Sequence, residues 1–250
     1  MAKRRSSRRK PPAGEPLPPQ RNASLDTLRG AAILLMVLDH AVGILLGVSI
    51  EFSSVRFWTR LSMPLFCLLM GYFLTVGKPL NRHRYLQIAI AMVVINAAYW
   101  PLYDKFEILA SLLLAFTVLR AVGKAYPWFV GMVLLYPVDP LDQWFDYAPS
   151  LVISFVTLGM ILRQRGLQAA LLIAAGLTTG AFWLRWLSPG DPSQYLFYFL
   201  LPAIGLLSLG VRYPDWKWKG LTLAGRFPLT CYLTQYFIIF GLAWWLAKTG

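Results

Sequence analysis

The chain has 250 residues, of which 57% are hydrophobic and only 14% are charged. Soluble domains carry about 25% charged residues, so this composition excludes an ordinary soluble protein and indicates an integral membrane protein. The two cysteines lie in apolar stretches and offer neither a disulfide framework nor a metal-binding pattern. We predict an all-α, polytopic transmembrane bundle of about nine helices, between eight and ten.

The formal net charge of +13 is concentrated first in the N-terminal segment. Residues 1–22 contain seven lysines and arginines, five prolines and a single acid, Glu15. This composition predicts a disordered basic arm over residues 1–23, followed by a transmembrane domain over residues 24–250. Basic runs can bind nucleic acid, but beside a membrane span contact with anionic lipid is favoured, and we expect no nucleic-acid partner. The following apolar stretch is too long for a signal peptide, so we expect the arm to be retained.

Nine apolar stretches separated by polar breaks are the candidate membrane spans. They are residues 26–48, 58–77, 85–102, 107–122, 127–138, 148–163, 167–187, 195–210 and 227–247. The fourth and fifth are short, so either could be tilted, re-entrant or merged with its neighbour.

The loops between these stretches alternate in charge. Loops on the side of the arm are basic, with Lys78, Arg82, Arg84, Lys124, Arg163, Arg165, Arg212, Lys217, Lys219 and Arg226. The opposite loops carry Asp104, Glu107, Asp139, Asp142, Asp146 and Asp191. The positive-inside rule therefore predicts a cytoplasmic N-terminus and, with nine spans, a C-terminus on the other side. Arg56 and Arg60, on the outer side, break the pattern and need an explanation.

The first span contains charged and titratable side chains that are costly in a bilayer. Ser24 is the predicted N-cap and Asp26 suits the first turn. Arg29 and His40 are eleven residues apart, which places them on one helix face with His40 about 16 Å deeper. We predict that His40 is a general base. The alternative is a structural His–Asp site with Asp39, although Asp39 points about 100° away from His40.

Four polar residues elsewhere are candidates for binding a substrate. Arg60 precedes the second apolar stretch and could either bind an anionic group or reach the membrane interface. Glu107 opens the fourth stretch, where an acid also suits the helix dipole. Tyr232 and Gln235 are three residues apart and could present a hydroxyl and an amide to the bundle interior, or join helices. His83, in a basic loop, is expected to be solvated, and no metal site is expected.

The spacing of Arg29 and His40 resembles the R/K-x10-H signature of the transmembrane acyltransferase superfamily, which includes the acyltransferase-3 O-acetylases. The chain is most similar to the TraX family, small membrane proteins associated with N-acetylation of conjugative pilin. The similar blocks are Leu35 to His40, Arg60 with Pro64 to Phe66, Ile108 with Leu109, and Phe227 with Pro228 and Tyr232. The resemblance covers most of residues 24–247.

This resemblance implies transfer of an acyl group, expected to be acetyl, from acyl-CoA to an amine or hydroxyl acceptor in a bacterial inner membrane. The acceptor could be pilin, a glycan or a lipid. The implied catalytic residues are His40 as base, Arg29 toward the donor's phosphates and Asp39 in support. One departure concerns Gln235, which stands where the family's pilin acetylase has a histidine.

Two other functions remain open from the sequence. A transporter or lipid flippase would also place charged residues inside a helical bundle, but no inverted repeats or paired broken helices are visible. A non-catalytic anchoring protein would leave the cost of burying Asp39 and His40 unexplained.

Overall fold

The structure is a computed structural model that describes residues 22–74, 82–187 and 194–249. Within these ranges the α-helices are α1 (Ala23–His40), α2 (Val55–Thr59), α3 (Ser62–Phe73), α4 (Arg82–Tyr103), α5 (Ile108–Val122), α6 (Pro149–Arg165), α7 (Leu167–Leu187), α8 (Tyr195–Tyr198), α9 (Leu200–Arg212), α10 (Lys219–Arg226) and α11 (Pro228–Thr249). A π-helical turn (Ala41–Leu45) extends α1, and 3₁₀ segments cover Gly123–Val138 and Asp142–Trp144. The basic arm lies outside the described residues.

The prediction of an all-α membrane protein is confirmed. By length and composition, four helical stretches are long and apolar enough to cross a membrane, namely Ala23–Leu45, Arg82–Tyr103, Pro228–Thr249 and Ile108–Tyr136, the last of which is divided at Gly123. Shorter apolar helices cover Leu167–Trp183 and Leu200–Arg212. Each of the nine apolar stretches of the sequence coincides with helical structure in the described part of the chain.

The fourth and fifth stretches form a hairpin that reverses at Gly123. This glycine has φ +55° and ψ −120°, which breaks the helical path between α5 and the 3₁₀ segment. Leu114 of α5 and Met132 of the 3₁₀ segment line the same cavity, so the two arms lie side by side. At the turn, the Tyr126 hydroxyl donates to Gln164 near the end of α6, 2.9 Å away. The two stretches are therefore separate, antiparallel passes through the bundle.

The bundle has two ends, which we call the basic end and the far end. At the basic end, the start of α1 meets the ends of α3, α6 and α9. Asn22 donates to the Gly210 carbonyl, and Arg163 donates to the Tyr72 carbonyl. At the far end, the last turn of α1 meets the segments that begin α3, α5 and α6. Successive passes thus alternate in direction, as the loop charges predicted.

Close backbone contacts fix α1 against α10 at the basic end. Gly30 lies against the backbone of Leu221, and Gly225 lies against the backbone of Asp26, so a Cβ at either glycine would collide. The Thr27 and Thr222 hydroxyls are 2.8 Å apart and share a hydrogen bond. These contacts set the position of α1 along the bundle and therefore the depth of His40.

The N-cap of α1 is Asn22, so the prediction of Ser24 was wrong. The Asn22 side chain accepts a hydrogen bond from the Leu25 amide at 3.0 Å. Ser24, two residues further along, is fully buried and donates instead to the carbonyls of Tyr213 and Trp216. These carbonyls follow the end of α9 and come from the other end of the chain, which a local capping rule does not consider.

Candidate active site

Asp39, in the last turn of α1, is bound to two arginines and a threonine. Its Oδ1 accepts from the Thr59 hydroxyl at 2.8 Å and from Arg56 Nε at 3.3 Å. Its Oδ2 accepts from an Arg60 terminal nitrogen at 3.2 Å. Both carboxylate oxygens are therefore engaged, and Asp39 is suited to holding arginines rather than to accepting a proton from a substrate.

Pairing with Asp39 explains why Arg56 and Arg60, which break the loop-charge pattern, lie on this side. Arg56 lies in the short helix α2, and Arg60 directly follows it, so both face the end of α1. Arg56 also donates to the Val48 carbonyl at 2.9 Å. Its guanidinium lies over Gly43, where a Cβ would collide with it. Asp39 provides the counter-charge that allows both arginines to stay at this depth.

His40 is half-buried and contacts α11 through one ring nitrogen. Its Nε2 lies 3.2 Å from the Tyr236 hydroxyl, and the two rings are 4.8 Å apart between centroids. Its Nδ1 is buried and has no hydrogen-bond partner among the described residues. The π-helical turn begins directly after His40, and such turns in helices frequently occur at functional sites.

Glu107 completes a chain of three side chains with His40. The Tyr236 hydroxyl donates to Glu107 Oε1 at 3.3 Å. Glu107 is fully buried and is the N-cap of α5, where its Oε2 accepts from the Leu109 amide at 2.9 Å. Its own amide donates to Asn96 of α4, also at 2.9 Å. Glu107, expected in the first turn of the helix, is thus its N-cap, and its side chain also binds Tyr236, the partner of His40.

These groups surround a small cavity of about 20 Å³, which has room for about one water molecule. Its polar lining consists of Asp39, His40, Thr59, Arg60, Ser62, Glu107, Asp146, Tyr147 and Tyr232. Arg60 is almost fully buried and donates to the Tyr147 hydroxyl at 2.7 Å. Arg60 Nε is buried without a partner among the described residues. Two residues of the cavity lining, His40 and Arg60, therefore each carry a buried nitrogen that has no hydrogen-bond partner among the described residues.

Asp146 and Tyr147, from the loop before α6, were not singled out in the sequence. Burial raises the pKa of the Asp146 carboxyl above its usual range, while the charges of Arg60 and Lys105 act in the opposite direction. The residue as a whole stays half-buried, and it belongs to the lining of the cavity. The sequence placed Asp146 only among the acidic loop residues.

Of the two candidates from α11, Tyr232 lies at the cavity and Gln235 does not. Tyr232 lines the cavity, and its hydroxyl donates to the Tyr236 oxygen at 3.5 Å. Gln235 is buried, but both of its amide atoms lack hydrogen-bond partners among the described residues. It is not among the residues that line the cavity. Tyr236, which the sequence reasoning missed, follows Tyr232 by four residues and shares its face of α11.

Arg29 lies apart from this site. It pairs with Asp26 at 3.0 Å, and its guanidinium stacks 4.0 Å from the ring centroid of Phe73 at the basic end. The eleven residues to His40 correspond to about 16 Å along the helix. Of the residues chosen from the sequence, His40, Asp39, Arg60, Glu107 and Tyr232 come together, and Arg29 does not join them.

Comparison with known proteins gives one family. Residues 22–107 match the acyltransferase-3 family model, described as an acyltransferase domain. The match runs from the N-cap of α1 to Glu107 and includes His40 and Arg60. No curated protein and no solved structure matches the chain. The match supports the acyltransferase-3 superfamily and a membrane acyltransferase in general.

Proposed function

We propose that the chain transfers an acyl group from acyl-CoA to an amine or hydroxyl acceptor, with His40 as the general base. The observation that carries this proposal is a pair of buried, unpartnered atoms on two residues that line the far-end cavity. His40 Nδ1 can accept a proton and Arg60 Nε can donate a hydrogen bond, and neither has a partner among the described residues. Buried polar atoms without partners are uncommon and costly, so such a pair fits a ligand that supplies both partners.

The reaction needs these two functions. The acceptor's N–H or O–H gives its proton to His40 Nδ1 as its heteroatom attacks the thioester carbonyl carbon. The carbonyl oxygen becomes an oxyanion, to which Arg60 Nε can donate. When the intermediate collapses, the C–S bond breaks and the proton returns from His40 to the departing thiolate. The products are the acylated acceptor and CoA thiol.

The donor is proposed to approach from the basic end. Arg29 lies there, in a region that also carries Arg163, Arg212 and Lys219. Arginine suits the phosphates of CoA because its guanidinium forms paired hydrogen bonds with phosphate oxygens. Arg29 is too far from His40 to touch the reacting atoms, so its role in this proposal is binding alone.

The charges of the loops support a proposal for the location of the protein. Basic loops favour the cytoplasmic side, so the arm and the basic end are proposed to face the cytoplasm of a bacterial inner membrane. The far end, with His40 and Arg60, then lies toward the outer leaflet. The acceptor is accordingly proposed to be an envelope pilin, glycan or lipid, and the donor is proposed to be acetyl-CoA, as in the TraX family that the sequence resembles.

The experiment uses the full-length protein reconstituted in liposomes with radiolabelled acetyl-CoA and an envelope extract. Wild type should transfer label to a component of the extract and release CoA thiol in equal amount. His40→Ala should lower this transfer at least 100-fold, because general base catalysis contributes roughly 10²–10⁴-fold. His83→Ala is the matched control, since His83 is the only other histidine and is exposed in the first turn of α4.

Two results would overturn the proposal. Label transfer that survives His40→Ala removes His40 as the base. Absence of transfer from any acyl-CoA, together with exchange of solute across the liposome membrane, replaces the acyltransferase with a transporter.

A further inference from the structure

We infer that Tyr236 and Glu107 are positioning residues that hold His40 with its proton on Nε2, leaving Nδ1 as the reactive base. This inference rests on the proposed function, because it names the groups that prepare His40 for it. Both residues act through His40 rather than on the substrate.

The protons shared by Glu107, Tyr236 and His40 decide which ring nitrogen of His40 is protonated. In this inference Glu107 is a carboxylate, which accepts from the Leu109 amide and has no proton to give. The single hydroxyl proton of Tyr236 therefore goes to Glu107 Oε1. The Tyr236 oxygen can then only accept, so the proton between it and His40 belongs to Nε2.

A neutral histidine carries one ring proton, so a proton on Nε2 leaves Nδ1 with a free lone pair. Nδ1 is the ring nitrogen that lacks a partner among the described residues. The hydrogen bonds from Nε2 to Tyr236 and on to Glu107 are thus consistent with the tautomer whose lone pair is on Nδ1.

The hydrogen-bonded series His40–Tyr236–Glu107 also stabilises the charge that forms during the reaction. When Nδ1 takes the acceptor's proton, His40 becomes an imidazolium that still donates through Nε2 to Tyr236. Tyr236 passes this stabilisation to the carboxylate of Glu107, much as a triad's acid supports its histidine. Asp39 is less suited to this role because both of its oxygens are bound by Thr59, Arg56 and Arg60.

Four helices hold the three side chains in place. Asn96 of α4 binds the Glu107 amide, and the Leu109 amide at the start of α5 binds its carboxylate. Tyr236 comes from α11 and His40 from α1. The other charged groups that face His40 are Asp39, Arg56 and Arg60, and Asp146 faces Glu107 and Tyr236. These charges surround the chain without interrupting its hydrogen bonds.

The test observes the tautomer directly by ¹⁵N NMR of histidine-labelled protein in micelles. A His83→Gln background leaves His40 as the only histidine, so its two ring nitrogens can be assigned. We expect a protonated Nε2 and an unprotonated Nδ1. Tyr236→Phe should give a mixture of tautomers, and it should lower kcat by roughly 10- to 10³-fold, below the ~10⁴ lost when a triad histidine takes the wrong tautomer.

Tyr126→Phe is the matched control. It removes one hydroxyl from another buried tyrosine, whose partner Gln164 lies at the basic end. Neither the His40 signals nor kcat should change in this variant.

The outcomes separate this inference from the proposed function. Wild-type protein with its proton on Nδ1 overturns the inference, whatever its activity, and this result does not depend on any Tyr236 variant folding. An unchanged spectrum in folded Tyr236→Phe also overturns it. An Nε2-protonated His40 that shifts in Tyr236→Phe supports the role of Tyr236, even if wild type transfers no acyl group, in which case only the proposed function fails.

Discussion

Both ends of α1 carry polar residues, but they use them differently. At the basic end, Asn22, Ser24 and Thr27 hydrogen-bond, respectively, a group in the last turn of α9, a group that follows α9 and a group of α10. At the far end, Asp39 is fully bound, while His40 next to it keeps a buried nitrogen without a partner among the described residues. Hydrogen bonds at one end hold the helix to its neighbours. At the other end His40, which lines the cavity, keeps a ring nitrogen without a partner among the described residues.

This difference indicates where the protein gives up stability for function. A buried polar atom without a partner costs roughly 1–3 kcal/mol relative to a satisfied one. The polar residues of α1 at the basic end avoid that cost, whereas at the far end His40 Nδ1 and Arg60 Nε carry it. Substitutions at the two ends should therefore separate effects on folding from effects on turnover.

The largest difference in unfolding free energy is expected between substitutions of the two buried aspartates of α1, Asp39 and Asp26. Asp39→Asn leaves the charges of Arg56 and Arg60 uncompensated, and it should lower the free energy of unfolding by about 3 kcal/mol. Asp26→Asn removes the ion pair with Arg29, whose side chain is 18% exposed and can be hydrated, so it should cost less than Asp39→Asn. Thermal unfolding of both variants in the same detergent, at one scan rate, measures the difference. Equal losses would show that the far-end cluster does not depend on its central carboxylate.

Arg60 should have the next largest effect, on turnover rather than on folding. Arg60→Gln removes the proposed oxyanion donor and should lower kcat roughly 10²- to 10³-fold. The fold should persist because Asp39 keeps its bonds to Arg56 and Thr59. Acyl transfer by folded protein, selected by size-exclusion chromatography, is the measurement.

Arg60→Lys sharpens this prediction because lysine keeps the charge but has no Nε–H in the guanidinium geometry. We expect its kcat to remain near that of Arg60→Gln. Full activity in Arg60→Lys would mean that a positive charge alone is sufficient, and that the unpartnered Nε has no role.

Much of this architecture could be predicted from the sequence because it depends on local patterns. Apolar length located all nine helical passes, and the helical period placed Arg29 and His40 on one face of α1. The alternation of basic and acidic loops predicted the alternating direction of the passes. The hairpin at Gly123 was left open, since length alone does not separate a reversal from one long helix.

The site was predicted less completely because its contacts join distant parts of the chain. Tyr236 lies 196 residues from His40, and no local spacing links the two. The pairing of Asp39 with Arg60 depends on how the chain returns through residues 46–54 after the π-helical turn. Helix angle correctly argued against an Asp39–His40 pair, but it could not name the arginines that Asp39 binds instead.

A smaller effect, confined to stability, is expected from the glycine contact at the basic end. In Gly30→Ala the new methyl group meets the Leu221 backbone, so α1 and α10 must separate, and we expect a loss of about 1–3 kcal/mol in unfolding free energy. Gly176→Ala in α7 is the control, because no described atom lies within 4 Å of the added Cβ. It should be neutral or stabilising by up to ~1 kcal/mol. The kcat of folded Gly30→Ala should equal that of wild type, and a fall in kcat would connect the basic end to the chemistry.

The smallest predicted change tests whether Arg29 belongs to the reaction or only to donor binding. Because Arg29 lies about 16 Å from His40 along α1, Arg29→Gln should leave kcat unchanged. Losing a guanidinium–phosphate contact should raise KM for acyl-CoA by roughly tenfold, which corresponds to about 1.4 kcal/mol. Arg163→Gln is the comparison at the same end, where Arg163 binds the Tyr72 carbonyl and stacks on its ring. A fall in kcat at saturating acyl-CoA would contradict the separation of the two ends, since Arg29 would then influence the reacting groups across the length of the helix.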